Sequence, residues 1–330
     1  MTGEKQTAGA KRFWQRIPAW VKLLGSLVLA AGLLAFLFSR MNAQTLAETL
    51  RNARAKYLFF TAAAAAAYWL VRLDRWRWMT FLAGAGVSWR TAAISMFAGL
   101  GVGLVTPMRS GEVVRPLFVP QGARAQLAGF VALERCFDLL AVLLLAVPGW
   151  IYLVATGKLG AWASVAAVGL FLAAAAPLAV LMLRPRRLLA VMARKMPRKL
   201  RPALEIQLPP KVLARMILTS LLAEALSVLA VYLSIRSLGD FSLAAAYGFV
   251  PVVMLNNLLP LTPGGLGLRE LIARYVFAPM GYADTLIVTG YLINSAIVLY
   301  LPGLAGIALA WRAGMTRMLH ASSQSADTAS

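Results

Sequence analysis

Long apolar runs separated by short charged segments constrain this chain more than any other feature. Uncharged or nearly uncharged stretches occupy residues 23–39, 57–71, 91–108, 139–157, 159–183, 216–235, 241–268 and 285–311. With 60% hydrophobic and only 14% charged residues over 330 positions, and a mean hydropathy of +0.73, such a chain cannot bury its apolar surface in water as one soluble fold. It reads as an all-α polytopic membrane protein. Lys5, Lys11, Arg12, Arg16 and Lys22 precede the first run and resemble the basic region of a secretory signal. A run of 17 uncharged residues is long for a signal core, however, so a retained first span is expected.

The charge balance, 33 Lys+Arg against 12 Asp+Glu, would suggest nucleic acid in a soluble domain. Here the basic residues lie between apolar runs and read as topology signals, so no nucleic-acid partner is expected. Cys136 is the single cysteine and His320 the single histidine, which excludes an intramolecular disulfide and disfavours a Cys/His metal site or a histidine-based triad. No cofactor and no metal are expected.

Topology follows from counting. Residues 184–215 carry ten basic residues against Glu205 and should be cytoplasmic, as should the N-terminal tail and a loop bearing Arg72, Arg75, Arg77 and Arg90. An even number of crossings must therefore separate Arg90 from Arg184, yet three apolar runs lie between them. The count closes if 91–115 enters and leaves on one face as a re-entrant hairpin, while about 125–155 and 159–183 cross. It closes again downstream if 241 to about 279 is re-entrant from the opposite face. The expected architecture is about six spanning helices plus two oppositely oriented re-entrant hairpins, forming an inverted repeat, with both termini cytoplasmic. The organisation is then a basic tail (1–22), a first half (23–157), a second half (158–313) with its basic loop 184–215, and a polar disordered tail (314–330). Residues 43–56 suggest an amphipathic helix on the outer surface.

Both hairpins carry Thr-Pro-x-x-x-Gly, 156 positions apart: Thr106, Pro107 and Gly111 in the first, Thr262, Pro263 and Gly267 in the second, which adds Gly264 and Gly265. Proline removes a backbone donor and glycine permits left-handed geometry, so each is a candidate helix break at membrane depth. A plain proline kink is the competing reading. Against it stand the charges beside each break: Arg109, Glu112 and Arg115, then Arg269 and Glu270. Glu134, Arg135 and Asp138 interrupt one apolar helix, and Glu224 sits within another. A charge at the centre of a span costs about 2.5 to 3.5 kcal/mol, so a group of them needs a reason. Together they predict a polar centre where the hairpins meet, able to hold a lipid phosphate on arginine and backbone N–H groups. The alternative is that the charges merely neutralise one another and set helix register. Trp69, Trp76, Trp78 and Trp89 read as interfacial anchors, the alanines of 62–67 as a close-packing helix face, and 185–210 as a surface loop attracting anionic lipid.

Thr-Pro-Met-Arg-Ser-Gly-Glu-Val-Val-Arg (106–115), Glu-Arg-Cys-Phe-Asp (134–138) and Leu-Thr-Pro-Gly-Gly-Leu-Gly-Leu-Arg-Glu (261–270), in this order, resemble the lysylphosphatidylglycerol synthase transmembrane region family, which is flippase-like. The resemblance covers nearly the whole chain. It implies translocation of a lipid, with the family motif residues falling on Pro107, Arg109, Gly111, Glu112, Arg115, Glu134, Arg135, Asp138, Pro263, Gly264, Gly265, Gly267, Arg269 and Glu270. Members that aminoacylate phosphatidylglycerol carry a fused soluble synthase. With about nineteen residues after the last apolar run, this chain is expected to lack it. The resemblance leaves the lipid open: a phospholipid, or a polyprenyl- or hopanoid-type lipid. Two other readings stand beside a translocator. One is a membrane-embedded transferase using Glu134 or Asp138 as base; the other is a non-transporting partner of a separate lipid-modifying enzyme. No phosphate-cradling Gly-x4-Gly-Lys motif is present, so energy would come from an ion gradient or from removal of product. Protonation of Glu134, Asp138 or Glu270 is the coupling step this predicts.

Overall fold

The computed structural model describes residues 28, 31–37, 39, 43–105, 115–119, 121–157, 209–258, 262–309 and 311–312. Within them every regular element is helical. In chain order these are α1 (Ala43–Arg51), α2 (Ala55–Leu82), α3 (Trp89–Val105), α4 (Arg124–Ala155), α5 (Pro210–Arg236), α6 (Leu243–Met254), α7 (Leu268–Phe277) and α8 (Asp284–Ser295). A π-helical turn, Ala296–Tyr300, carries α8 onward, so that the whole rod runs Asp284–Leu309.

Two helices, Pro210–Arg236 and Asp284–Leu309, are both long and apolar enough to cross a membrane. At 1.5 Å per residue each reaches about 40 Å, more than the ~30 Å hydrocarbon core. Helices α2 and α4, of 28 and 32 residues, have the length as well but carry charges along it. Four of those charges, Arg72, Arg75, Glu134 and Asp138, turn inward while Phe59, Leu70, Leu144, Ile151, Leu218 and Leu304 are exposed on the outer faces. Polar groups inside and large apolar groups outside is the arrangement a lipid solvent selects.

The expected helices at about 125–155, 216–235 and 285–311 coincide with α4, α5 and the rod that α8 begins to within two turns, α5 starting six residues early at Pro210, and α1 fills most of the expected amphipathic helix. The basic loop after residue 71 does not exist. Helix α2 continues through Arg72, Arg75 and Arg77 to Leu82, and Trp76 and Trp69 lie in the core instead of anchoring at an interface. The uncharged stretch 57–71 reaches only about 23 Å as a helix, short of a ~30 Å hydrocarbon core, and α2 gains its full length by including the arginines. Trp89, by contrast, is exposed. In the alanine run, Ala64 and Ala65 are buried against Ala230 and Val298.

The two ends of the bundle pack separately. Trp76, Met79, Met96, Leu127, Phe130, Phe137 and Met216 fill one core, and Val228, Ile235, Phe249, Val250, Phe277 and Tyr291 the other. Helices α4 and α6 approach so closely that a Cβ on Gly149 would overlap the Gly248 carbonyl oxygen, a small-residue crossing of the kind that lets membrane helices associate without a hydrophobic driving force.

The second candidate break is a helix break in the structure. Helix α6 gives way to a 3-10 turn, Leu255–Leu258, and the turn Pro263–Gly265 leads into α7. Gly264, Gly265 and Gly267 all have positive φ (62°, 79° and 79°), which L side chains rarely adopt. Helices α6 and α7 pack against each other, and α3 packs against the Pro263–Gly265 turn. Thr106, Pro107, Arg109, Gly111 and Glu112, in the first candidate break, lie outside the described residues, as do 158–208 with most of the basic loop, 1–22 and 314–330.

Candidate functional site

Helical spacing creates the site. On α2, Arg72 and Arg75 are three residues apart; on α4, Glu134 and Asp138 are four apart; on α5, Ser220 and Glu224 are four apart. Each pair therefore projects from one face, and the three faces converge. Glu134 Oε1 accepts hydrogen bonds from Arg72 Nη2 at 3.0 Å and Arg75 Nη2 at 2.7 Å, and its Oε2 accepts from Arg115 Nη1 at 3.0 Å. Asp138 Oδ1 lies 2.8 Å from Arg75 Nη2 and accepts from Ser220 Oγ at 2.9 Å, while Oδ2 lies 3.2 Å from Arg72 Nη1. Arg75 Nη1 donates to Ser220 Oγ at 2.6 Å, and Arg72 Nη1 to the Tyr68 hydroxyl at 2.9 Å. Arg115 is held from behind, since its carbonyl accepts from Ser95 Oγ at 2.7 Å.

Every one of these charged groups is buried, with Glu134, Arg75 and Arg115 at 0% exposure. Three guanidinium groups face two carboxylates, so the cluster carries one net positive charge. A buried pair contributes little net stability, but removing one partner strands the others. The cluster is thus a mutually dependent lock joining α2, α4, α5 and the segment before α4. Within it both oxygens of Glu134 accept hydrogen bonds, while Asp138 accepts one at Oδ1 and meets Arg72 at Oδ2 as an ion pair.

A second polar group forms at the glycine break. Glu270 Oε2 accepts from the Gly267 N–H at 2.7 Å, satisfying a donor at the start of α7, and Oε1 accepts from Ser295 Oγ at 3.3 Å. Arg269 Nη2 donates to the Gly264 carbonyl at 2.9 Å and Nη1 to Ser295 Oγ at 3.3 Å. The side chains of the motif therefore bind its own irregular backbone, whose groups a continuous helix would have paired internally. Thr262 is buried with its hydroxyl unpartnered among the described residues.

The sequence reading put both sets of charges in one centre. The structure forms two clusters and leaves a cavity of about 80 Å³ between them. Arg72 and Arg135 line it from the first cluster, Arg269 from the second, and Glu224 from α5. Tyr291 and Asn294 of α8 complete it, and the Tyr291 hydroxyl and Asn294 Oδ1 are buried with no hydrogen-bond partner among the described residues. Arg135 stands at the rim, its side chain 39% exposed and 3.9 Å from Asp138. Trp69 bounds the other side, its Nε1 donating at 2.9 Å to the Val298 carbonyl in the π-helical turn.

Of the residues expected from sequence, Arg115, Glu134 and Asp138 meet in the lock, Arg135, Glu224 and Arg269 face the cavity, and Glu270 braces the break. Arg72, Arg75, Ser220, Tyr291 and Asn294 were not anticipated. The three-residue spacing of Arg72 and Arg75 beside a stretch too short to span carried the signal for the first two; nothing local marks the others. Among the described residues no cluster of His, Cys, Asp and Glu could hold a metal ion.

A family model described as the lysylphosphatidylglycerol synthase TM region matches residues 23–306. No curated protein matches the chain.

Proposed function

The chain belongs to the lysylphosphatidylglycerol synthase TM region family, and from that premise we propose that it moves a lipid between the leaflets of a bacterial inner membrane, its polar headgroup passing through the cavity between the two charged clusters while the tails stay in the bilayer. One observation carries this reading: a cavity among apolar helices is lined by Arg72, Arg135, Arg269 and Glu224 and by polar atoms of Tyr291 and Asn294 that no group among the described residues satisfies. Buried polar atoms without partners are costly, and a cavity that collects them is prepared for a ligand able to satisfy them. Arginine favours a phosphate in such a place, as a phospholipid or polyprenyl phosphate would supply.

The movement we propose uses an inverted repeat. Helices α6 and α7, of 12 and 10 residues, reach about 18 and 15 Å, each well short of the ~30 Å core. That suits a hairpin entering and leaving on one face. A matching hairpin formed by α3 and residues 106–115 would enter from the other, with about six crossing helices around them and both termini in the cytoplasm. Rocking one half against the other then exposes the cavity to each leaflet in turn. The chain's role in this reading is transport, with any modification of the lipid left to a separate enzyme.

The test is leaflet exchange in proteoliposomes with headgroup-labelled phosphatidylglycerol and polyprenyl phosphate. The native chain is expected to move one of them, and Arg269→Ala to slow that movement about tenfold or more, the loss of one charge-assisted hydrogen bond to the headgroup. Absence of exchange by the folded native chain under every imposed gradient refutes translocation.

A further inference from the structure

We propose that Glu224 is the proton-exchanging group of the cavity and that its protonation is coupled to binding of an anionic headgroup, so that proton and lipid move together; this rests on the translocation reading above. Among the buried carboxylates, Glu134 meets three arginines, Asp138 meets two and a serine hydroxyl, and Glu270 accepts from a backbone N–H and a hydroxyl. A carboxylate so occupied cannot pick up a proton without losing its partners. Glu224 differs. It is only 6% exposed, lines the cavity, and has no hydrogen bond and no ion pair within 4.0 Å among the described residues.

Its surroundings make the proton matter. Tyr68 and Arg72 face it from α2 with Arg75 behind them, Arg135 and Asp138 from α4 with Glu134 behind, Arg269 from α7 and Tyr291 from α8. From α6 the Tyr247 hydroxyl donates to the Ala225 carbonyl at 3.2 Å, one residue along α5. Around the cavity, among the described residues, five arginines (72, 75, 115, 135 and 269) stand against Glu134, Asp138 and Glu270, so an arriving anion meets an excess of two positive charges if Glu224 is neutral and one if it is ionised. One unit charge across a cavity this small changes anion affinity on the order of tenfold. Linkage is reciprocal: a bound anion raises the proton affinity of Glu224 by the same factor. The proton enters from the face where the headgroup loads and leaves to water on the face where it is released.

The first test measures protons directly. Short-chain phosphatidylglycerol is titrated into the full-length chain in detergent, at one pH, in buffers of different ionisation enthalpy; the dependence of the heat on the buffer gives the protons taken up. Uptake by the native chain, retained by Glu224→Asp and abolished by Glu224→Gln with probe still bound, supports the proposal. Binding with no proton uptake, or the same uptake in Glu224→Gln, overturns it. The second test imposes a pH gradient on proteoliposomes. For one proton per lipid, a one-unit gradient shifts the leaflet distribution of labelled phosphatidylglycerol about tenfold in the native chain, and Glu224→Asp keeps the shift. Native exchange that ignores the gradient overturns the coupling and leaves translocation standing. If the native chain neither binds nor moves any lipid, translocation fails and takes the coupling with it.

Discussion

Replacing Glu134 by glutamine removes the one charge that three buried guanidinium groups share. The side chain keeps its size, yet only one oxygen remains, and its new NH2 group must point at Arg115 or at the Arg72–Arg75 pair, donor against donor. The lock then holds three arginines against Asp138 alone. Breaking a buried ion pair by removing one partner costs about 3 to 5 kcal/mol, and the loss of three contacts of 2.7 to 3.0 Å places Glu134→Gln within that range. That is two to four decades in the folding equilibrium. The readout is thermal unfolding of the purified chain in detergent, followed by the fluorescence of Trp69 and Trp76, which lie in the core beside the lock. A loss of this size should lower Tm by at least about 6 °C. The double variant Arg115→Met with Glu134→Gln should lose less than the sum of its parts, because the second change removes a guanidinium that the first had stranded. A Tm for Glu134→Gln within about 2 °C of native, too small for such a loss, would show that the cluster is not a mutually dependent unit.

Two further outcomes follow from packing and exposure. Gly149→Ala drives a methyl group into the Gly248 carbonyl oxygen and must push α4 from α6; a destabilisation of about 1 to 3 kcal/mol or more is expected in the same unfolding assay. The Arg215–Asp74 pair, at 2.8 Å but with side chains 42% and 46% exposed, is the control for charge in general. Asp74→Asn should change stability by less than about 1 kcal/mol.

Much of the helical plan was legible because lipid imposes a simple rule. A span must be apolar, long enough and internally hydrogen-bonded, so α4, α5 and α8 could be placed from their apolar runs. The break at 262–267 was legible for the opposite reason: proline and glycines in an apolar run have no purpose in a straight helix, and their positive φ values bear that out. Glu134 and Asp138 announced themselves as charges where charge is expensive. Arg72 and Arg75 misled because their position after an apolar run imitates a cytoplasmic loop. Local composition cannot distinguish a flanking arginine from one that a partner 59 residues away draws into the bundle.

The sequence alone therefore determined the solvent, the family, most of the helices and the residues too costly to be idle. Only the tertiary structure decided what those residues do. It bound Glu134 and Asp138 to arginines, turned Glu270 back on its own backbone, and left Glu224 with neither among the described residues. Partner choice among buried charges depends on which helix faces meet, and that is settled by packing over the whole bundle, since a few ångströms in low-dielectric surroundings separate a bound carboxylate from an open one.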